Sequence, residues 1–176
     1  MRRGKAGRMS EAGAVASLER RIRVLIWIFI AGLALSGATA MPLQMELNFV
    51  VRVMDANLGF TSEGLRHWLW RVREAVADTG AKYPFLAYGT DWLAFGHFAI
   101  AIAFIGPLRD PVKNVWVIEF GMIACVLVVP FALIVGGFRG IPLGWRLIDC
   151  SFGFFGISPL WRCRKLIRGL EAAARG

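Results

Sequence analysis

Chemistry-bearing residues are scarce in this chain. Its 176 residues include three cysteines, two histidines and two tyrosines. Cys125, Cys150 and Cys163 form no CxxC pair, and His67 and His97 form no HxxxH pair. That spacing argues against a zinc site, a disulfide framework and bis-histidine haem ligation. A His97–Met122 haem pair fails on depth, because the two fall in opposite halves of their spans. No metal or cofactor is expected, and scattered buried cysteine reads as small apolar filler. GxSxG, Walker and HExxH motifs are missing, so the reading leans away from an enzyme. The glycines follow no collagen period, and no repeat of ~20–50 residues appears, which excludes fibrous and solenoid folds.

Acidic residues are also few. Twelve Asp+Glu face 21 Lys+Arg for a formal charge of +9, while 57% of the chain is hydrophobic. The mean hydropathy is +0.56. A soluble domain has about 45–50% apolar and 25% charged residues, so this composition indicates an integral membrane protein. The charge has a location. Residues 1–23 carry net +5 and residues 162–176 net +4, while the stretch between them holds nine basic and nine acidic residues. A nucleic-acid binder would interleave basic side chains with aromatics on a folded face. Two basic ends around a neutral apolar middle match the positive-inside rule instead, and no nucleic-acid partner is expected.

Four stretches approach the ~20 apolar residues needed to cross a bilayer. They cover about 24–43, 92–108, 115–137 and 141–161, the last being least hydrophobic, with Arg146 and Asp149 inside it. The fold expected is all-α: a four-transmembrane-helix bundle, residues 24–161, between a basic cytoplasmic leader (1–23) and a basic cytoplasmic tail (162–176). With both ends cytoplasmic, the inner segments hold 14 basic residues and the outer ones six. Tyr88, Trp92 and Trp145 then mark the outer boundary, and Trp27, Trp116 and Trp161 the inner one. A rival reading takes residues 24–35 as a signal-peptide core, with Ala38-Thr39-Ala40 as an A-x-A cleavage site. The long leader and the apolar run on to Leu43 favour an uncleaved first span.

The long outer loop between spans one and two, 44–91, has helical texture and forms a cap. Leu43, Leu47, Val50, Val51, Met54 and Leu58 share one face of a first amphipathic helix. Gly59 breaks it, and Thr61 or Ser62 caps a second. There Leu65, Trp68, Leu69, Val72 and Val76 form an apolar stripe, ended by Gly80 and Pro84. These helices lie on the bundle or in the headgroup layer; Trp68 and Trp70, the latter off the stripe, offer a docking surface for a protein partner. The lipid bilayer is the first partner expected, and a homo-oligomer is a further option.

Ionisable residues inside a membrane are costly, and so they are informative. Depth counted at ~1.5 Å per residue puts His97, Arg146 and Asp149 in the outer half, where they can form one polar cluster with Asp91 at its mouth. Arg146 and Asp149, at i and i+3, are placed for an intrahelical ion pair. Asp91 is alternatively a helix cap with Thr90. Glu119 lies near the inner boundary, within reach of Lys113 or a tail arginine. Close packing is expected at Gly32/Ser36, Ala99/Ala103 and Gly121/Cys125, with Gly153 and Gly156 extending the theme. Pro130 should kink the third span and free a carbonyl towards the cluster.

The segments GTDWLAFGH (89–97), GPLRDPVKNVWVIEFGMIAC (106–125) and RGIPLGWRLIDCSFGFFG (139–156) resemble those of small uncharacterised bacterial multi-pass inner-membrane proteins. The first span, WIFIAGLALSG (27–37), shares the likeness. The resemblance implies a bacterial plasma (inner) membrane location and no activity. Two functions follow from the residues: a non-enzymatic structural or accessory membrane component, or a small-solute or proton-coupled transporter or ligand sensor built on His97, Arg146 and Asp149. An intramembrane enzyme using that cluster lacks a nucleophile or metal.

Overall fold

The protein is described by a computed structural model covering the backbone of residues 2–56 and 62–173 and the side chains of 13–56 and 62–173. Among these residues there are helices and no strand. The order is α1 (Arg2–Ala40), α2 (Leu43–Ala56), α3 (Glu63–Lys82), a 3-10 turn (Pro84–Ala87), α4 (Tyr88–Ala103), α5 (Ile105–Arg109), α6 (Val115–Phe138) and α7 (Leu143–Ala173). Three helical stretches are long and apolar enough to cross a membrane: Gly13–Ala40, Pro84–Arg109 and Val115–Phe138. That much points to a membrane protein. α7, with Arg146 and Asp149 near its start and further basic residues beyond Trp161, is not among the three.

Neither end is a separate tail. α1 runs unbroken through the boundary at 23, and α7 through the one at 161. The reason is a heptad-like apolar pattern that continues into the charged stretches. In α1 the sequence places Val15, Leu18, Ile22, Leu25 and Phe29 at alternating steps of three and four, and in α7 it does the same with Leu160, Cys163, Ile167 and Leu170. The two helices meet along these stripes in antiparallel sense, Leu18 near Gly169 and Phe29 near Gly156. Ile22, Ile26, Phe104, Val117, Ile118 and Leu160 join Cys163, Ile167 and Leu170 in the main core. Burial there pushes the Cys163 thiol up to about 12, so it is an inert filler at neutral pH.

α6 and α7 are joined by a tight reversal. Gly140 takes the left-handed conformation with φ 69°. Its N–H donates to the Gly137 carbonyl at 3.1 Å, and Ile141 N–H donates to the Gly136 carbonyl at 2.9 Å. These two bonds close a Schellman motif and satisfy carbonyls that α6 would otherwise leave open. Pro142 then starts the return, its carbonyl accepting from Trp145 and Arg146 N–H. α7 lies back along α6, and the backbones approach closely where Gly153 meets the Cys125 carbonyl. Gly121 seats Leu160 and Phe104, and Gly156 seats the Cys125 sulfur. α6 passes through Pro130 as a single helix.

The other small-residue pairs are not contacts. A methyl at Gly32 would meet nothing within 4 Å, and Ala99 and Ala103 are exposed. Gly37 carries the α1–α4 approach instead, against the Ala94 carbonyl and His97 Cβ, and within α4 the buried alanines are Ala94 and Ala101. A small residue permits an approach, but the neighbour's position chooses which one is used.

α2 and α3 pack on each other through Leu47, Val51, Met54 and Leu69, joined by Trp145 from α7. Ser62 caps α3, its hydroxyl accepting from Leu65 N–H at 3.4 Å. Gly59, Thr61 and Leu58 lie outside the described residues. α3 continues past Gly80 to Lys82, and Pro84 opens the 3-10 turn. Val50 is 39% exposed and so stands off the buried face of α2.

Adding a methyl at Gly153 drives it into backbone. Gly153→Ala is expected to cost about 1–3 kcal/mol, as overpacking does. Gly32→Ala, in open space, is expected to be neutral or to gain up to about 1 kcal/mol from helix propensity. Thermal unfolding of the two purified variants in detergent checks the contrast.

Candidate functional site

The polar residues of the expected cluster are placed by different helix pairs. His97, half-buried on α4, has its Cβ against Gly37 of α1, and its Nδ1 lies 2.8 Å from the Leu93 carbonyl. A carbonyl only accepts, so Nδ1–H donates there, back into its own helix. Arg146 faces α6. Its Nη1 donates to the Leu133 carbonyl at 3.0 Å. Its aliphatic stem fills the space left by Gly136, where a Cβ would come within 2.8 Å of Cγ and Cδ.

This seat has a clear electrostatic logic. Leu133, Gly136 and Gly137 belong to the last two turns of α6, where the helix presents the negative end of its dipole. A guanidinium there meets partial negative charge and a carbonyl lone pair without needing a carboxylate. The Gly136-Gly137 pair lets the stem reach that carbonyl. Nε remains buried without a hydrogen-bond partner. The Arg146–Asp149 ion pair expected from their spacing is not formed among the described residues. Basic-before-acidic is the weaker order for a helical pair, and the α6 end offers a competing partner. Asp149 is half-buried on α7.

Asp91 is exposed in the first turn of α4, where its charge favours the helix N-terminus, yet no side chain caps that helix. Thr90 Oγ1 donates backwards to the Ala87 carbonyl at 2.7 Å. The 3-10 turn leads directly into α4 at Tyr88, so Thr90 and Asp91 lie within the helix rather than ahead of it as a cap would. Thus His97 is committed to α1 and α4 and Arg146 to α6. α4 and α7 share no extended packing. Among the described residues no hydrogen bond or ion pair joins His97, Arg146, Asp149 and Asp91 to one another.

Ionic order is found at the other end of the bundle. Arg164 of α7 donates through Nε to Glu119 Oε1 of α6 at 2.8 Å, and its Nη1 lies 3.5 Å from Glu171 Oε1. Arg164 is thereby the tail arginine that Glu119 reaches, and Lys113 pairs with Asp110 instead. The Arg164 side chain is only 18% exposed. Glu171, one heptad after Arg164, completes the clamp and is absent from the residues that sequence reasoning selects. A helix continued through 162–173 makes this contact legible, because i and i+7 share a face. Sequence reasoning also misses Gly136-Gly137 as a seat; glycines at a helix end before an RGIP turn are the signal for it.

On α3, Trp68 and Trp70 are half-buried against the α2–α3 core. Trp70 donates Nε1–H to Asp55 Oδ1 at 3.2 Å, and Arg73 stacks over its ring at 4.8 Å. Arg73 also donates to Asn48 Oδ1 at 2.6 Å. Both tryptophans therefore serve the hairpin. Among the described residues no group of three or more His, Cys, Asp or Glu is arranged to hold a metal ion.

Two stability measurements separate the ionic contacts. Asp149→Asn removes a charge without breaking an ion pair, so the unfolding midpoint should stay level or rise. Glu119→Gln and Arg164→Gln should each lower it by about 2–4 °C, for a partly screened pair worth ~1 kcal/mol. In a double-mutant cycle the two losses should not add, leaving a coupling of about 1 kcal/mol. A large loss in Asp149→Asn would instead reveal an Arg146–Asp149 pair.

Compared with known protein families, curated proteins and solved structures, the chain finds no match.

Proposed function

We propose that this chain is a four-span integral protein of the bacterial plasma membrane, with both ends cytoplasmic, acting as a non-enzymatic structural or accessory membrane component. The observation that carries the reading is how polar groups within the helices are used. Arg146 binds the end of α6, His97 closes on its own helix beside α1, and Arg164 clamps α6 to α7. The hydrogen bonds that each of them makes tie helices together or close within a helix, and none of them joins the three in one cluster.

Support for α7 as a fourth span comes from its partner. α6 is 24 residues, about 36 Å at ~1.5 Å per residue, and spans a ~30 Å core. α7 follows it antiparallel: Arg146 at Leu133, Gly153 at Cys125, Leu160 at Gly121. A helix paired with a span over that length shares its depth. The cost of Arg146 at the outer end is offset by the α6 carbonyl and by the short distance to the headgroups.

Sidedness follows from charge and aromatics. Trp27, Trp116 and Trp161 are exposed and lie towards the end of the helices where Arg164 meets Glu119. At the opposite end Tyr88, Trp92 and Phe95 form an exposed edge-to-face row. The α2–α3 hairpin then caps the outer side. Met45 and Phe49 of α2, 73% and 66% exposed, face the outer leaflet, while Trp145 anchors the hairpin to α7. A protein partner on that side meets the polar face of α3 rather than Trp68 and Trp70. The bacterial inner-membrane assignment is supported by the sequence resemblance over Gly89–Gly156.

Thiol accessibility tests the arrangement. Ala77→Cys on α3 and Ala172→Cys on α7 introduce exposed thiols at the two ends. A membrane-impermeant reagent should label Ala77→Cys on intact bacteria and Ala172→Cys only after the cells are opened. Labelling of Ala172→Cys on intact cells would overturn the four-span reading.

A further inference from the structure

A cleft of about 360 Å³ lies where α1, the turn between α5 and α6, and the last turns of α7 come together. That volume falls within the ~300–1,000 Å³ typical of small-ligand pockets. Arg23 of α1 and Arg109 of α5 line it, with Glu19 and Asp110, and Val15 and Leu170 supply apolar wall.

The charges of this lining are not equivalent. Asp110 is already engaged: it accepts from Lys113 N–H at 3.0 Å and pairs with Lys113 Nζ at 3.3 Å. The Lys113 backbone hydrogen bond, foremost, and the nearby ammonium hold its carboxyl below the usual carboxylate range. Arg23 and Arg109 take no part in the ion pairs among the described residues. Two uncommitted guanidiniums therefore line one cleft with Glu19 as the remaining acid, and Arg20 and Arg21 add positive field from the same turn of α1.

Depth identifies what reaches them. Trp27 lies four residues from Arg23 along α1, about 6 Å by helical rise. Tryptophan belts sit at the headgroup level, so Arg23 falls at or just outside it, where phosphates lie. Val24 and Ile28, exposed on the next turns of α1, offer apolar surface on the membrane side. Basic pockets between helices at this level recognise anionic headgroups.

We propose that this cleft binds the phosphate of an anionic phospholipid headgroup, its oxygens accepting from Arg23 and Arg109. The proposal rests on the membrane-spanning reading above. A free phosphate ion presents the same oxygens, and the test separates the two sources.

Native mass spectrometry of the full-length protein in neutral detergent provides that test. The protein is titrated with phosphatidylglycerol, phosphatidylcholine or inorganic phosphate. The wild type should retain phosphatidylglycerol in preference to phosphatidylcholine. R23Q/R109Q should weaken that binding by about 30-fold, the equivalent of two near-surface basic residues. R20Q/R21Q removes the same charge from outside the cleft and should leave binding within about threefold. Should R23Q/R109Q not fold, Arg109→Gln carries the same comparison at about fivefold. Equal losses in the two double variants would mean diffuse attraction and overturn the site. Equal binding of phosphatidylcholine would overturn charge recognition, and displacement of the lipid by inorganic phosphate would overturn the lipid as ligand. A protein that stays monodisperse without detergent or lipid would instead defeat the membrane reading itself.

Discussion

The backbones of α6 and α7 touch where Gly153 lies against the Cys125 carbonyl, and much of the molecule takes its register from that contact. A side chain at 153 would hold the helices apart. With the two axes this close, Leu160 enters the space left by Gly121, the Cys125 sulfur meets Gly156, and Arg146 arrives beside the last turns of α6. At the far end the same register brings Arg164 to Glu119. One close approach thus sets four contacts spread over most of the length of α6. The Gly140 reversal is its covalent counterpart, since the left-handed turn returns α7 directly onto the helix it has left.

Charge serves packing differently at the two ends. Arg146 lies where a helix terminus supplies partial negative charge, and it needs no carboxylate. Arg164 lies along the flank of α6, where no such terminus exists, and it recruits Glu119 and Glu171. The basic residues of α1 are different again. Ile22 and Ile26 are buried beside α7 while Arg20, Arg21 and Arg23 remain outside. Residues 13–23 are therefore an amphipathic continuation of the first helix, with their arginines on its exposed surface.

Several of these features could be read from residue spacing. The α2 and α3 stripes follow the 3.6-residue period, and Ser62 precedes α3 as a cap should. Gly121, Cys125, Gly153 and Gly156 are small residues at helical spacing. The polar cluster was less legible. Depth along a span can be counted from the sequence, but the rotation of a helix about its axis cannot. His97 and Arg146, counted to similar depth, meet different neighbours, the one α1 and its own helix and the other the end of α6. The same missing rotation makes Gly32 look equivalent to Gly37. The apolar heptads inside the charged ends were visible, but net charge masks them when a segment is judged by composition.

Composition and order thus determined a helical chain with apolar stretches of membrane length, its basic excess at two ends and aromatics near the span boundaries. These are properties of single segments, set by side-chain transfer energies and backbone hydrogen bonding, and each segment carries them alone. Pairing between helices settled the rest: which glycines are contacts, which acid Arg164 meets, that Arg146 prefers a helix end to Asp149, and that Arg23 and Arg109 line one cleft. Such choices depend on relative rotation and register, which arise from packing two surfaces together and are encoded in neither surface by itself.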